Sequence, residues 1–138
     1  MQHAEVIGRC FSAETVEGIL DRLETARAHQ AWCGEVAAEL AKRSPLALKV
    51  TLRQIRDARH LDLRQVLTVD YRIACRMMAA PDFNTAVDAL LISKTRAPRW
   101  RPAAIEDVSA AMVERVIAPM PGEELVLPPL NEMVIGRA

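Results

Sequence analysis

Glycine and aromatic side chains are both scarce, five of each in 138 residues, the aromatics being Phe11, Trp32, Tyr71, Phe83 and Trp100. A sheet-rich fold needs glycine in its turns and aromatics along its strands, so this shortage excludes it and leaves helix as the default. Cysteine is sparse too. Cys10, Cys33 and Cys75 lie far apart with no CxxC pair and no secretory segment ahead of them, so they read as reduced core thiols of a cytoplasmic protein. His3, His29 and His60 show no ligand spacing, and no metal is expected. No apolar run approaches the roughly eighteen residues of a membrane span, so no membrane partner is expected. The glycines, Gly8, Gly18, Gly34, Gly122 and Gly136, are scattered singly. No P-loop, GxGxxG, GxSxG or HExxH pattern occurs, and nothing in the chain builds an active site unaided.

What is present has the proportions of one ordinary domain, 51% hydrophobic and 26% charged. A chain of this length buries enough surface to fold without a disulfide or metal. Its 18 basic and 18 acidic residues cancel, but unevenly along the chain. Residues 1–41 carry −4, residues 42–101 carry +8 and residues 102–138 carry −4. Such a block either attracts a polyanion or phosphorylated ligand, or neutralises its acidic flanks within one fold.

Helical punctuation is frequent. Ser12 reads as an N-cap with Glu14 in the first turn, followed by Val16, Ile19, Leu20 and Leu23 on one face. A second helix spans about 30–43 and buries Trp32, Val36, Ala37 and Leu40. Ser44 and Pro45 start a third, with Leu48, Leu52 and Ile55 on one side and Lys49, Arg53 and Arg56 on another. Asp62 and Gln65 have capping-box spacing ahead of a longer stripe of Leu63, Val66, Leu67, Ala74, Met77 and Met78. Pro81 closes that helix, and Asp82 or Asn84 caps the next, whose buried face is Phe83, Ala86, Val87, Leu90 and Leu91. A last short helix follows Ser109, with Val108 and Val113 spaced as a hydrophobic staple. After Pro119 the chain is proline-rich and extended, and Leu125, Val126 and Leu127 need an apolar groove.

Two features invite a chemical reading. Asp70 interrupts the long stripe, and a carboxylate there is a catalytic acid or base, or the partner of a buried arginine such as Arg53. The lack of a second carboxylate or histidine nearby in sequence favours the structural pair. Residues 93–103 place Lys94, Arg96, Arg99 and Arg101 around Trp100, with Pro98 and Pro102 excluding regular helix. This is a basic loop with one aromatic.

Several stretches together resemble the C-terminal region of the 3-hydroxyisobutyryl-CoA hydrolase family, within the enoyl-CoA hydratase/isomerase (crotonase) superfamily. They are CFSAETVEGIL (10–20), SPLALKVTLRQI (44–55), VLTVDYR (66–72), DFNTAVDALLISK (82–94) and PRWRP (98–102), five segments in register across most of residues 5–105. EELVLP (123–128) resembles the end of bacterial members. The resemblance implies an all-α helical C-terminal cap of a crotonase-type enzyme, without the ββα core that supplies the oxyanion hole and the acidic residues handling water. It implies that Met1 is an internal start, a truncation point or the product of a split gene. It also implies a coenzyme A thioester as substrate, with no covalently bound cofactor. Relatives often place an aromatic near the adenine where this chain has Leu90 or Leu91, so that role is not carried over.

The resulting expectations are a helical cap-like domain over 1–118 and a proline-rich extended tail over 119–138. No catalytic residue is assigned, and the chain alone is expected to be inactive. Lys94, Arg96 and Arg99 are the candidates for contact with the phosphates of coenzyme A. The expected partner is the missing core or a second copy of the chain, giving a homo-oligomer through the 45–59 and 63–80 helices with Leu52, Ile55, Leu67 and Met77 in contact. The alternative is a non-enzymatic helical module that binds nucleic acid or an acidic partner through residues 42–101. Nucleic acid is the less expected ligand, because the aromatics are few and the basic residues lie on several helices.

Overall fold

The computed structural model describes residues 3–28, 30–95 and 97–129. Among the described residues there are seven α-helices and no strand, in line with the all-helical expectation. They are α1 (Ala4–Phe11), α2 (Val16–Ala26), α3 (Ala31–Ala41), α4 (Pro45–Asp57), α5 (Leu63–Ala79), α6 (Pro81–Val87) and α7 (Ala110–Ile117). A 3-10 turn at Ala58–His60 follows α4, and a wide π-helical turn at Asp88–Ile92 follows α6.

The first helix differs from the expectation. Ser12 closes α1 rather than opening α2, because its backbone is helical (φ −77°, ψ −8°). Thr15 is extended (φ −124°, ψ 159°) and its Oγ1 accepts from the Gly18 N–H at 3.1 Å, the geometry an N-cap requires. Helix α1 itself carries Val6 and Cys10 on its buried side.

Elsewhere the caps fall where the residue types place them. Ser44 Oγ accepts from the Ala47 N–H with Pro45 at N1, and Asp62 and Gln65 form a reciprocal capping box. Ser109 caps α7, and both staple valines, Val108 and Val113, are buried. Pro81 starts α6 directly, so Ala80 is its N-cap and neither Asp82 nor Asn84 fills that role.

Two cores form. Val6, Cys10, Ala13, Ile19, Leu23, Ala26 and Cys33 make the first, with Trp32, Val36, Ala37, Leu40 and Leu52 packed against it. Val50, Val108, Val113 and Val116 make the second, with Leu46, Ile73, Met77, Met112 and Ile117 around it. Helix α4 contributes to both. Its Val50, 2% exposed, is its most deeply buried side chain, although the predicted stripe passed it by.

The stripe predicted on α5 turns largely to solvent, with Leu63 73% and Met78 59% exposed. The face predicted on α6 does the same at Phe83, Leu90 and Leu91. There Asp82 and Ala89 are buried, with Thr85 and Ala86 half-buried, so a small and polar face points inward.

The tail is fastened by arginines of α5. Arg64 donates to the Leu127 carbonyl, Arg72 pairs with Glu124 at 2.9 Å, and Arg76 reaches the carbonyls of Val116, Ala118 and Pro119. Within it, Pro121 and Gly122 occupy the centre of a turn closed by Glu123 N–H to Met120 O at 2.9 Å. Gly122 takes φ 84°, as the third residue of a type II turn must. Leu125 and Leu127 are half-buried, whereas Val126 is exposed.

Candidate functional site

The basic loop is suspended from the rest of the fold by two anchors. Asp82, 6% exposed, accepts from Ser44 Oγ at 2.8 Å and from the Arg101 N–H at 2.9 Å. Trp100 Nε1 donates to the Lys42 carbonyl at 2.9 Å. Both anchors reach the junction between α3 and α4, so the N-cap of α4 and the far end of the loop share one carboxylate. The chain leaves the π-turn through Lys94, whose φ of 55° is the left-handed conformation that ends helices. The Arg101–Pro102 peptide is cis.

A cavity of about 850 Å³ opens between α6 and this loop, with Thr85, Asp88, Ser93, Thr95, Arg99 and Arg101 among its walls. Of the three residues singled out from the sequence, Arg99 borders it. Lys94 is exposed at the helix end and does not line it. Arg96 lies outside the described residues. Arg101 joins Arg99 on the cavity. That pairing was available from the sequence, since alternate residues of an extended segment face the same way.

Most of the remaining basic block is spoken for. Glu39 pairs with Lys42 and Arg43, and Glu17 with Lys49 at 2.6 Å. Glu114 pairs with Arg53 at 2.6 Å, and Glu124 with Arg72. The acids come from both flanks, so the alternating charge of the chain is largely internal neutralisation. Burial pushes the Glu17 carboxyl up, but the Lys49 ammonium and a backbone N–H hold it below its usual value. The Met120 N–H, aided by Arg72, does the same for Glu124. Among the described residues, no carboxylate pairs with Arg99 or Arg101.

Asp70 is not the partner of Arg53. Arg53 is held by Asp57 and Glu114, at 2.6 Å each, while Asp70 accepts from Gln54 Nε2. Residues 53 and 54 point about 100° apart on a helix, so Arg53 faces α7 and Gln54 faces α5. A second, apolar groove of about 350 Å³ is lined by Phe11, Leu40, Leu48, Leu52 and Ile55. Cys10 and Cys33 are fully buried free thiols, and burial raises the Cys33 pKa above its ordinary value. Cys75 is free and half-buried. Among the described residues no three of His, Cys, Asp and Glu gather as a metal site. His29 lies outside them.

Comparison with known proteins gives a consistent result. A family model described as enoyl-CoA hydratase/isomerase matches residues 1–117. The 3-hydroxyisobutyryl-CoA hydrolase 1 of Arabidopsis thaliana is 37% identical over 135 residues, covering 94% of this chain and 36% of the relative. The mitochondrial 3-hydroxyisobutyryl-CoA hydrolase of Gallus gallus is 36% identical over 126 residues, covering 91% and 32%. A small ribosomal subunit protein, mS47 of Arabidopsis thaliana, is 38% identical over 120 residues, covering 83% and 29%. An enoyl-CoA hydratase structure from Rhodobacter sphaeroides 2.4.1 superposes with a TM-score of 0.83 at 30% identity, covering 91% of this chain and 37% of that one. The chain spans about a third of the length of the curated relatives it matches.

Proposed function

The chain belongs to the enoyl-CoA hydratase/isomerase family, and from that premise we propose that it forms the helical cap of an acyl-CoA thioester hydrolase resembling 3-hydroxyisobutyryl-CoA hydrolase, an enzyme of valine breakdown. The observation that carries this reading is the contrast between the two parts of the basic block. Most of its helical cations are neutralised from within, whereas Arg99 and Arg101 border an open cavity with hydroxyls around it. Guanidinium groups so placed suit the phosphates of coenzyme A. Lys94 and Arg96 would add charge around the same loop. Coenzyme A is here the carrier of the substrate and not a covalently held cofactor.

Thioester hydrolysis builds negative charge on the carbonyl oxygen and needs paired N–H donors there, with a carboxylate to activate water. In this chain Asp70 is engaged by Gln54, Asp82 by Ser44 and Arg101, and Glu17 by Lys49. The cap's part is therefore to hold the phosphates and exclude water, while the chemistry belongs to the other two-thirds of a family-length protein. Three free thiols fit a reducing compartment such as the cytoplasm.

Titration with coenzyme A at low and moderate salt tests the reading. Weak binding that fades with ionic strength and drops on combining Arg99→Ala with Arg101→Ala, and less on Lys94→Ala, is the expected result. The mS47 relative favours one other reading, a non-enzymatic module that binds nucleic acid or an acidic protein through residues 42–101. Equal or tighter salt-sensitive binding to random duplex DNA would select it.

A further inference from the structure

Among the described residues, Ser44 and Asp82 are the most deeply buried polar side chains, each 6% exposed. A buried carboxylate is costly unless its oxygens are satisfied. Asp82 Oδ2 accepts from Ser44 Oγ at 2.8 Å, and Oδ1 accepts from the Arg101 N–H at 2.9 Å. Both donors are neutral, and among the described residues no cation forms an ion pair with this carboxylate. Its charge stands in the wall of the cavity that Arg99 and Arg101 border. There it repels any anion that enters, so attraction is not what it gives the site. Position is. The residue it holds by the backbone is one of the two arginines on the cavity. Trp100, one residue back, is held through its indole by the Lys42 carbonyl at 2.9 Å.

We infer that Asp82 is a positioning residue of the anion site: it fixes the Arg101 backbone so that the guanidinium is on the cavity before a ligand arrives, and anion affinity depends on it despite its like charge. The inference rests on the reading of this cavity as a phosphate site. An arginine already in place spares the ligand the cost of ordering it, and its planar fork then matches the paired oxygens of a phosphate. Two opposing effects of one carboxylate are therefore separable by sign. Removing its charge favours an incoming anion, whereas removing its hold on Arg101 disfavours it.

Titration of the full chain with inorganic pyrophosphate at low salt, followed through the backbone amide resonances, tests this role. Asp82→Ala is expected to weaken binding at least about fivefold, as Arg101→Ala does, and to weaken it no further once Arg101 is already alanine. Val50→Ala, in the second core and away from the cavity, should leave the affinity unchanged although it lowers stability. Binding by Asp82→Ala as tight as the parent's or tighter, the result of removing a like charge alone, overturns the inference. An equal loss in Val50→Ala does so too. In the unsubstituted chain, saturating pyrophosphate should slow hydrogen exchange of the Arg101 amide severalfold, because the bond and the ligand support each other reciprocally. Unchanged exchange overturns the inference even where Asp82→Ala does not fold, and so does a chain that binds no pyrophosphate. Pyrophosphate binding with this pattern but no affinity for coenzyme A would leave Asp82 its role and remove the coenzyme A reading instead.

Discussion

The hydroxyl of Ser44, which opens α4, donates to the buried carboxylate of Asp82 at 2.8 Å across 38 residues of sequence. The same hydroxyl oxygen accepts from the Ala47 N–H, and the same carboxylate accepts from the Arg101 N–H. One polar pair thus starts a helix and holds the basic loop.

Ser44→Ala removes both a cap and a buried bond to a charged acceptor. We expect a loss of about 2–3 kcal/mol in urea unfolding. Asp82→Ala should cost a similar amount, and the double variant less than the two losses combined, because the partners act as a unit. A Ser44→Ala change within about 0.5 kcal/mol of the parent would remove this pair from the account of stability.

Burial decides between two aliphatic truncations. Val50→Ala, at the centre of the second core, should lower stability by about 2 kcal/mol. Leu63→Ala removes more carbon from a 73% exposed position and should change monomer stability by less than about 0.5 kcal/mol. The reverse order in thermal unfolding would contradict the placement of both residues.

Acid should loosen the tail before it unfolds the helices. The Glu124 carboxyl is held below its ordinary value, chiefly by the Met120 N–H and then by Arg72. A depressed carboxylate gives stability that is present above its unfolded pKa and lost as pH falls through the folded one. Hydrogen exchange at Met120 should therefore rise as pH drops below the usual carboxylate range, after correction for intrinsic rates. Glu124→Gln should show the raised exchange already at neutral pH. Unchanged protection in that variant would contradict the expectation.

If the chain is the cap proposed above, it should release no thiol from 3-hydroxyisobutyryl-CoA above the buffer rate when purified. Turnover that follows the folded protein and disappears on Asp70→Asn would overturn this and make Asp70 catalytic.

Helix starts written in side chains were legible: Ser44 with Pro45, Asp62 with Gln65, and Ser109 with its valine staple each stand where the sequence puts them. Ser12 misled because cap preference is shared by residues that end helices, and only the backbone separates it from Thr15. The α5 and α6 faces were misassigned for a different reason. Periodicity reports which residues share a side, but not whether that side meets the interior or something outside the chain. Of the basic residues on the loop, Arg99 and Arg101 border the cavity and Lys94 does not, a sorting that residue type alone does not make. Nothing local announced Asp82 as the anchor, since both of its partners are distant in sequence.

Because α4 is a wall common to both cores, the chain need not open all at once. Helices α1 to α3 can detach from the Leu52 side while Val50 keeps α4 against α7, leaving a native-like remnant in which the loop anchor at Ser44 is still in place. Amide protection should then come in two tiers, lower in α1 to α3 and higher in α4, α5 and α7, with α4 following the slower tier.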